Sequence, residues 1–379
     1  MPGVYVSYPF CAQKCTYCNF ASGVLPAALE PRYLDALCAE IASHAFEWPP
    51  ETVYLGGGTP SRLAPGGLAR ILQTIPGSPW PEATIEAAPG DITTDRAAAW
   101  RDAGINRASL GVQSFVDREL RQTGRRHNAR TVAADVDTLR RAGIENINLD
   151  LIAGLPWQTQ ESWRESLEWI RRLDPPHVSV YLLEVDGDSR LGQELLVLGS
   201  RYGAANTPGE EQSAAFYETA VDSLAAIGID RYEISNFAKP GHRSLHNLKY
   251  WLRLPYVGFG ADAHSFDGAT RRANTDSVAD YIERVENRQS PCIEQTPANP
   301  TEEQFFVGLR LDDGIELSPA DRLRFAAPIA RFTAEGLLES RGPSLRFTRR
   351  GVLLSNEVLQ EFLAAPAPPA PNHGTKPPL

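Results

Sequence analysis

The sequence predicts an α/β protein: a partial, open barrel of six βα units, then a small helical, winged-helix-like C-terminal domain. Three observations carry this prediction. Strand-like and helix-like segments alternate from the N-terminus at roughly 30 residues per repeat, as in a parallel sheet with crossover helices. Six such units are too few for a closed eight-fold barrel. Past Glu184 the alternation loosens, and from about Thr301 the chain becomes helical again.

The elements follow in order. Gly3–Tyr8 reads as a strand. Residues 31–44 read as a helix, with Pro31 in its first turn and Tyr33, Leu34, Leu37, Cys38 and Ile41 on one face. Residues 52–55 are a short β-branched and aromatic strand that runs into Gly56-Gly57-Gly58. A helix over 68–75 and a strand over 84–88 come next, and Thr94 is placed to cap a helix ending at Gly104. Arg107–Gln113 is a strand, 129–142 a helix stopped by Gly143, 146–152 a strand, 161–173 a helix and 177–184 the sixth strand. Beyond these, 210–227 is helical, while 232–237 and Tyr256–Phe259 are extended. Helices over 302–311 and 319–335, with 345–347 and 348–363, complete a small helix-plus-strand unit. The domains are therefore expected at 1–235 (barrel), 236–300 (connecting region) and 301–363 (C-terminal domain). The Pro-rich tail, 364–379, is expected to be disordered.

Composition narrows the class. Of 379 residues, 42% are hydrophobic and 22% charged, which allows a sizeable core. A net charge of −10 argues against a nucleic-acid partner held by bulk electrostatics. No apolar run approaches the roughly 18 residues that span a bilayer. Met1-Pro2-Gly3-Val4-Tyr5 lacks the basic start of a signal peptide, so a cytoplasmic location is expected.

The chemistry centres on cysteine. Three of the five cysteines lie in Cys11-Ala-Gln-Lys-Cys15-Thr-Tyr-Cys18, a C-x3-C-x2-C run. Three thiolates on one loop can bind three irons of a cubane and leave the fourth iron open. Structural zinc usually takes four ligands, and no fourth Cys or His lies nearby in sequence. Cys38 and Cys292 read as packing residues. Polar residues also fall where barrel strands end: the Gly56-Gly57-Gly58-Thr59-Pro60 turn, Glu86, Gln113 and Asp150. Each alone suits the capping of a backbone group; together at one barrel face they point to a ligand.

The cysteine loop, with Tyr17 before its last cysteine, resembles the radical S-adenosylmethionine (SAM) signature, and the βα count matches the partial (β/α)6 TIM-like barrel of that family. The chain further resembles the oxygen-independent coproporphyrinogen III oxidase group within it. The matching stretches are Tyr5-Val-Ser-Tyr-Pro-Phe-Cys11, Gly56-Gly-Gly-Thr-Pro60, Ser109-Leu-Gly-Val-Gln113 and Asn148-Leu-Asp-Leu-Ile-Ala-Gly-Leu-Pro156. That resemblance implies a 4Fe–4S cluster on Cys11, Cys15 and Cys18. It implies SAM on the open iron, lined by Tyr5, Gly57, Gly58, Thr59, Glu86, Gln113, Arg125 and Asp150. Gln113 and Asp150 would suit ribose hydroxyls, Arg125 a carboxylate, and His264 would approach the adenosine.

Two departures weigh against oxidative decarboxylation. The oxidases continue to a fourth cysteine, where this chain has Phe20, and they carry a long extension before the strand that here begins near Tyr5. His246-Asn247-Leu248-Lys249-Tyr250-Trp251 resembles instead the HNxxYW motif of HemW-type haem chaperones. It implies haem at His246, Asn247, Tyr250 and Trp251, with a histidine as axial ligand and aromatics over the porphyrin. Without that resemblance, a histidine beside Tyr and Trp is more often an ordinary hydrogen-bonded loop, and His242 competes as ligand. His44, His127, His177 and His373 read as surface or packing residues. The expected function is to bind the cluster, SAM and haem and to pass haem to acceptor apoproteins, such as membrane respiratory enzymes, at the membrane periphery. Coproporphyrinogen oxidation, or a radical SAM reaction on another substrate, is the alternative.

Overall fold

Six parallel strands follow one another across the sheet in chain order, in a computed structural model that describes residues 2–363. They are β1 (Gly3–Tyr8), β2 (Thr52–Gly57), β3 (Glu82–Ala87), β4 (Arg107–Gln113), β5 (Asn146–Ala153) and β6 (His177–Leu182). The crossovers carry α1 (Leu29–Ser43), α2 (Pro65–Gln73), α3 (Thr94–Asp102), α4 (Asp117–Gln122), α5 (Ala129–Arg141) and α6 (Gln160–Leu173). On α1 the buried residues are Tyr33, Ala36, Leu37, Cys38 and Ile41, a stripe at helical spacing laid on the sheet. Helix starts are fixed by side chains. Thr93, not Thr94, caps α3 by accepting from Arg96 N at 3.3 Å, and Thr159 and Ser162 cap α6 reciprocally.

The sheet runs on past both ends of this parallel core. β7 (Asp230–Arg231) and β8 (Asn236–Ala238) extend it antiparallel beyond β6. On the other side β9 (Tyr256–Phe259) pairs parallel with β1. Beyond it lie the antiparallel strands β10 (His264–Phe266), β11 (Thr270–Asn274) and β12 (Cys292–Pro297). β1 and β6 therefore meet other strands rather than each other, and the sheet stays open. Residues 236–300, expected as a connecting region, contribute strands β8 to β12 to this sheet. β8, β10 and β11, at three to five residues, are too short to display a period of two. After β6 the chain also forms α7 (Arg190–Leu196), α8 (Glu210–Ala225), α9 (Leu245–Trp251) and α10 (Val278–Glu286).

The chain divides into two units between Ala298 and Asn299. Among the described residues the second holds five short helices and a three-stranded antiparallel sheet. Phe305, Phe325, Phe332 and Phe362 form its core, with the Phe305 and Phe362 rings stacked at 4.2 Å. The 364–379 tail and His373 lie outside the described residues.

Candidate functional site

A cavity of about 420 Å³ opens where the parallel strands end. Cys11, Cys15 and Cys18 line it, with Gly57, Gly58 and Thr59 after β2, Glu86 from β3, Gln113 from β4, Asp150 from β5, and Arg125. Residues scattered over the first 150 positions thus converge on one space. Tyr5 stands just behind, its ring 6.1 Å from that of the cavity-lining Tyr54. His264 is not brought there: it is exposed on β10, where it pairs with Ala273.

The cysteine loop leaves β1 and is pinned on all sides. Its base is closed by Cys11 N donating to Gly23 O at 2.8 Å and Gly23 N to Pro9 O at 3.0 Å. Thr16 N donates to Thr123 O at 3.2 Å and Gln13 Nε2 to Gly124 O at 2.5 Å. On the opposite flank Leu191 N, at the start of α7, donates to Thr16 O at 2.8 Å, and Asn19 Nδ2 reaches Asp186 at 2.8 Å. The three thiols are free and half-buried. Among the described residues no three Cys, His, Asp or Glu side chains gather round a single ion position. A cubane makes no such demand, since each thiolate takes its own iron.

The glycine turn seats against this loop. Gly58 N donates to Tyr8 O at 2.7 Å and Thr59 N to Phe10 O at 3.0 Å. Gly57 holds a φ of +106°, open to glycine at little cost. Opposite, Arg125 donates to the Tyr17 hydroxyl through Nε and Nη2, at 3.1 and 2.9 Å. Burial alone would lower the pKa of this guanidinium; Tyr17 and Cys15 outweigh it and hold the charge on. A half-buried cation beside three cysteines suits an anionic group. Gln113 ends β4 at a φ of +68°, next to a register shift, and a side chain at Gly111 would meet both Gln113 and Arg125. Such strain is stored where a side chain must be aimed.

Two carboxylates lie deeper. Asp150 accepts from Asn148 Nδ2 at 2.8 Å and Ser109 Oγ at 3.2 Å, and burial raises its pKa. Glu86 accepts from the Tyr54 hydroxyl at 2.9 Å; burial, reinforced by the Asp150 charge, raises its pKa to about 7. The folded chain therefore holds this proton more tightly than the unfolded chain, whose carboxyl titrates near 4.5. Glu86 stabilises fully below that value, and its contribution is lost as the pH rises through about 7. In the cofactor-free chain this removes about 3 kcal/mol at most. Glu86→Gln is expected to flatten the fall in urea midpoint between pH 5 and 7.5. A wild-type slope retained in the variant would assign the loss to other groups.

Sequence reading missed Arg107 and Tyr54. Arg107 opens β4 and is 1% exposed, yet its side chain lines the cavity. A charged residue at the head of an apolar strand was the available signal.

Comparison with known proteins adds the lineage. The Radical SAM superfamily model matches residues 5–170 and the HemN C-terminal domain model residues 295–354. Over 386 residues the chain is 35% identical to a Bacillus subtilis (strain 168) protein named Heme chaperone HemW, covering 96% of this chain and 99% of that one. The chain belongs to the HemW family. A HemW of Escherichia coli (strain K12) is 30% identical over 95% of this chain and 98% of its own. Among solved structures, the coproporphyrinogen III oxidase HemN from Escherichia coli, a radical SAM enzyme, shares the fold. Its TM-score is 0.80 at 23% identity, over 95% of this chain and 90% of that one.

In this HemW family member the HNxxYW segment is helix α9, set at the start of the parallel strands, opposite the cysteine loop. Glu82, at the head of β3, accepts from Leu245 N and His246 N, both at 2.9 Å, and from Ser244 Oγ at 3.3 Å. His246 is fully buried. Its Nδ1 meets Thr52 Oγ1 and its Nε2 the Tyr250 hydroxyl, both at 2.8 Å. Burial, then Lys249 and Arg107, lower its pKa to about 3, so the ring is neutral and both nitrogens are engaged. Asn247 alone of the four motif residues lines the cavity. Tyr250 packs on Tyr256 at 4.7 Å and Trp251 on Tyr250 at 6.3 Å. Gly3 permits this seating, because a Cβ there would stand 2.7 Å from Thr52 Oγ1 and 2.9 Å from Lys249. His177 is likewise buried, between Asn148 and Tyr232. Among the described residues no helix is long and apolar enough to cross a membrane.

Proposed function

We propose that this chain is a haem carrier that holds a 4Fe–4S cluster and SAM and passes haem to acceptor apoproteins. The observation that supports it most is the convergence of three cysteines, the glycine turn and the strand-end polar residues on one cavity, in a chain similar along its length to proteins named heme chaperones. Cys11, Cys15 and Cys18 would hold the cluster. Tyr5, Gly57, Gly58, Thr59, Glu86, Gln113, Arg125 and Asp150 would surround SAM. When bound, the cluster with SAM supplies one-electron chemistry at the open iron. The chain's own part is to orient and to exclude. Arg125 offers a fixed charge to a carboxylate, Gln113 and Asp150 offer acceptors to ribose hydroxyls, and the glycine turn brings backbone groups close. Glu86 ionises near neutrality and can accept from an ammonium group. His246, Asn247, Tyr250 and Trp251 would act on haem through the helix they build.

Phe20, where the oxidases carry a fourth cysteine, is 65% exposed, a poor stand-in for a ligand. The test is anaerobic reconstitution followed by haemin titration. Wild type is expected to bind haemin and to leave coproporphyrinogen III unchanged with SAM and a reductant. Cys15→Ala is expected to lose the cluster absorbance and the iron. Failure to bind haemin rejects the carrier reading, and conversion to protoporphyrinogen IX replaces it with the oxidase.

A further inference from the structure

The cavity at the strand ends is committed to the cluster and SAM, so a flat tetrapyrrole needs another seat. We propose that haem lies in a groove bounded by the C-terminal end of α1, β9 with β10, and residues 285–292, with His44 as axial ligand to its iron. This rests on the haem-carrier reading above.

The groove encloses about 1080 Å³, at the upper end of small-molecule sites. His44 follows the last turn of α1 and is half-buried. Its ring is held edge-on by Phe46 at 4.7 Å and Phe259 at 5.3 Å, with Trp48 6.2 Å beyond Phe46. Those contacts fix the ring's orientation but use neither nitrogen. Neither ring nitrogen has a hydrogen-bond partner among the described residues. Burial lowers the pKa of this imidazole, which keeps a lone pair free at neutral pH. The walls are aromatic and the lining carries both signs, Arg272 and Arg288 beside Glu40, Glu47 and Asp267, with the Glu47 charge acting on His44. Arg288 borders the groove with no acidic partner among the described residues, and Arg272 shares only Asp267. Two propionates would find such guanidinium groups complementary. Cys292 also borders the groove, but its thiol already donates to Glu294 O at 3.2 Å.

The groove adjoins the HNxxYW helix. Tyr256, on its border, packs against Tyr250, whose hydroxyl bonds to His246. The motif then acts by bracing one wall, and His246 can affect haem without leaving its pocket. His246 is here a positioning residue and His44 the ligand.

Haemin titration of the full-length, cluster-reconstituted chain tests this, reading affinity and the Soret band together. His44→Ala is expected to weaken binding by the roughly 10- to 100-fold that follows loss of a metal's supporting groups. Added imidazole is expected to restore the wild-type Soret band in that variant. Its iron content should match wild type, which shows that it folds. Cys292→Ala is expected to bind as wild type does. Haemin dimethyl ester should bind wild type more weakly than haemin, with a smaller gap in Arg288→Ala. His44→Ala with unchanged affinity and spectrum overturns the site, as does a loss confined to Cys292→Ala. Wild type that binds no haemin ends the carrier reading, and this seat with it.

Discussion

Replacing Glu82 with alanine is expected to cost about 3–5 kcal/mol, the usual loss when one partner of a buried charged pair is removed. Glu82 is 2% exposed and holds three donors at the start of α9. Its carboxylate also stands 3.9 Å from Arg107 Nε, and that nitrogen has no hydrogen-bond partner. The substitution therefore strands a buried guanidinium and removes the acceptor of three donors at the start of α9 at once. Glu82→Gln keeps acceptor capacity but not charge, so it should fall between. Urea midpoints of the three chains measure this. An alanine variant within about 0.5 kcal/mol of wild type, the usual range of a surface change, would mean that α9 is not held by this carboxylate.

Gly58→Ala is expected to do most of its damage at the site. A Cβ at Gly58 would stand 2.8 Å from Pro9 C and Phe10 O and 2.9 Å from Tyr8 O. All three atoms are backbone, so no side chain can swing away. The glycine turn must separate from the strand that delivers the cysteines, at about 1–3 kcal/mol in stability. Iron incorporation and SAM affinity should fall together. Gly66→Ala is the matched control: nothing lies within 4 Å of a Cβ there, in α2, and the change should stabilise slightly. Equal iron content in the two variants would separate the turn from cluster assembly.

How much of this was legible in the sequence depends on what each residue answers to. The strands β1 to β6 announced themselves because a parallel sheet buries both faces and writes near-continuous apolar runs. The cysteine loop was legible because its chemistry is local. Glu86 and Asp150 stood out as carboxylates inside apolar strands. The floor was not legible. His246 pairs with Thr52, and Glu82 with the start of α9, across long stretches of chain, and no local pattern encodes a contact of that range. Thr93 displaced Thr94 as cap because the two are equivalent in type, and only the backbone at the helix start chooses between them. β9 was legible as an extended segment, but β10 to β12 escaped notice because their short, polar segments lie toward the sheet edge.

The placement of β9 beside β1 also governs how the protein is made. β1 pairs with β2 on one side and, on the other, with a strand that leaves the ribosome only after the six parallel strands. Until then the strand that carries the cysteines has one open edge, and α9 has not yet arrived to close the base. Pairings of such long range form slowly, and an open edge in the meantime invites association with other chains. The cysteine loop thus emerges first and is housed late, so insertion of the proposed cluster is expected to follow synthesis of the whole first unit rather than accompany it.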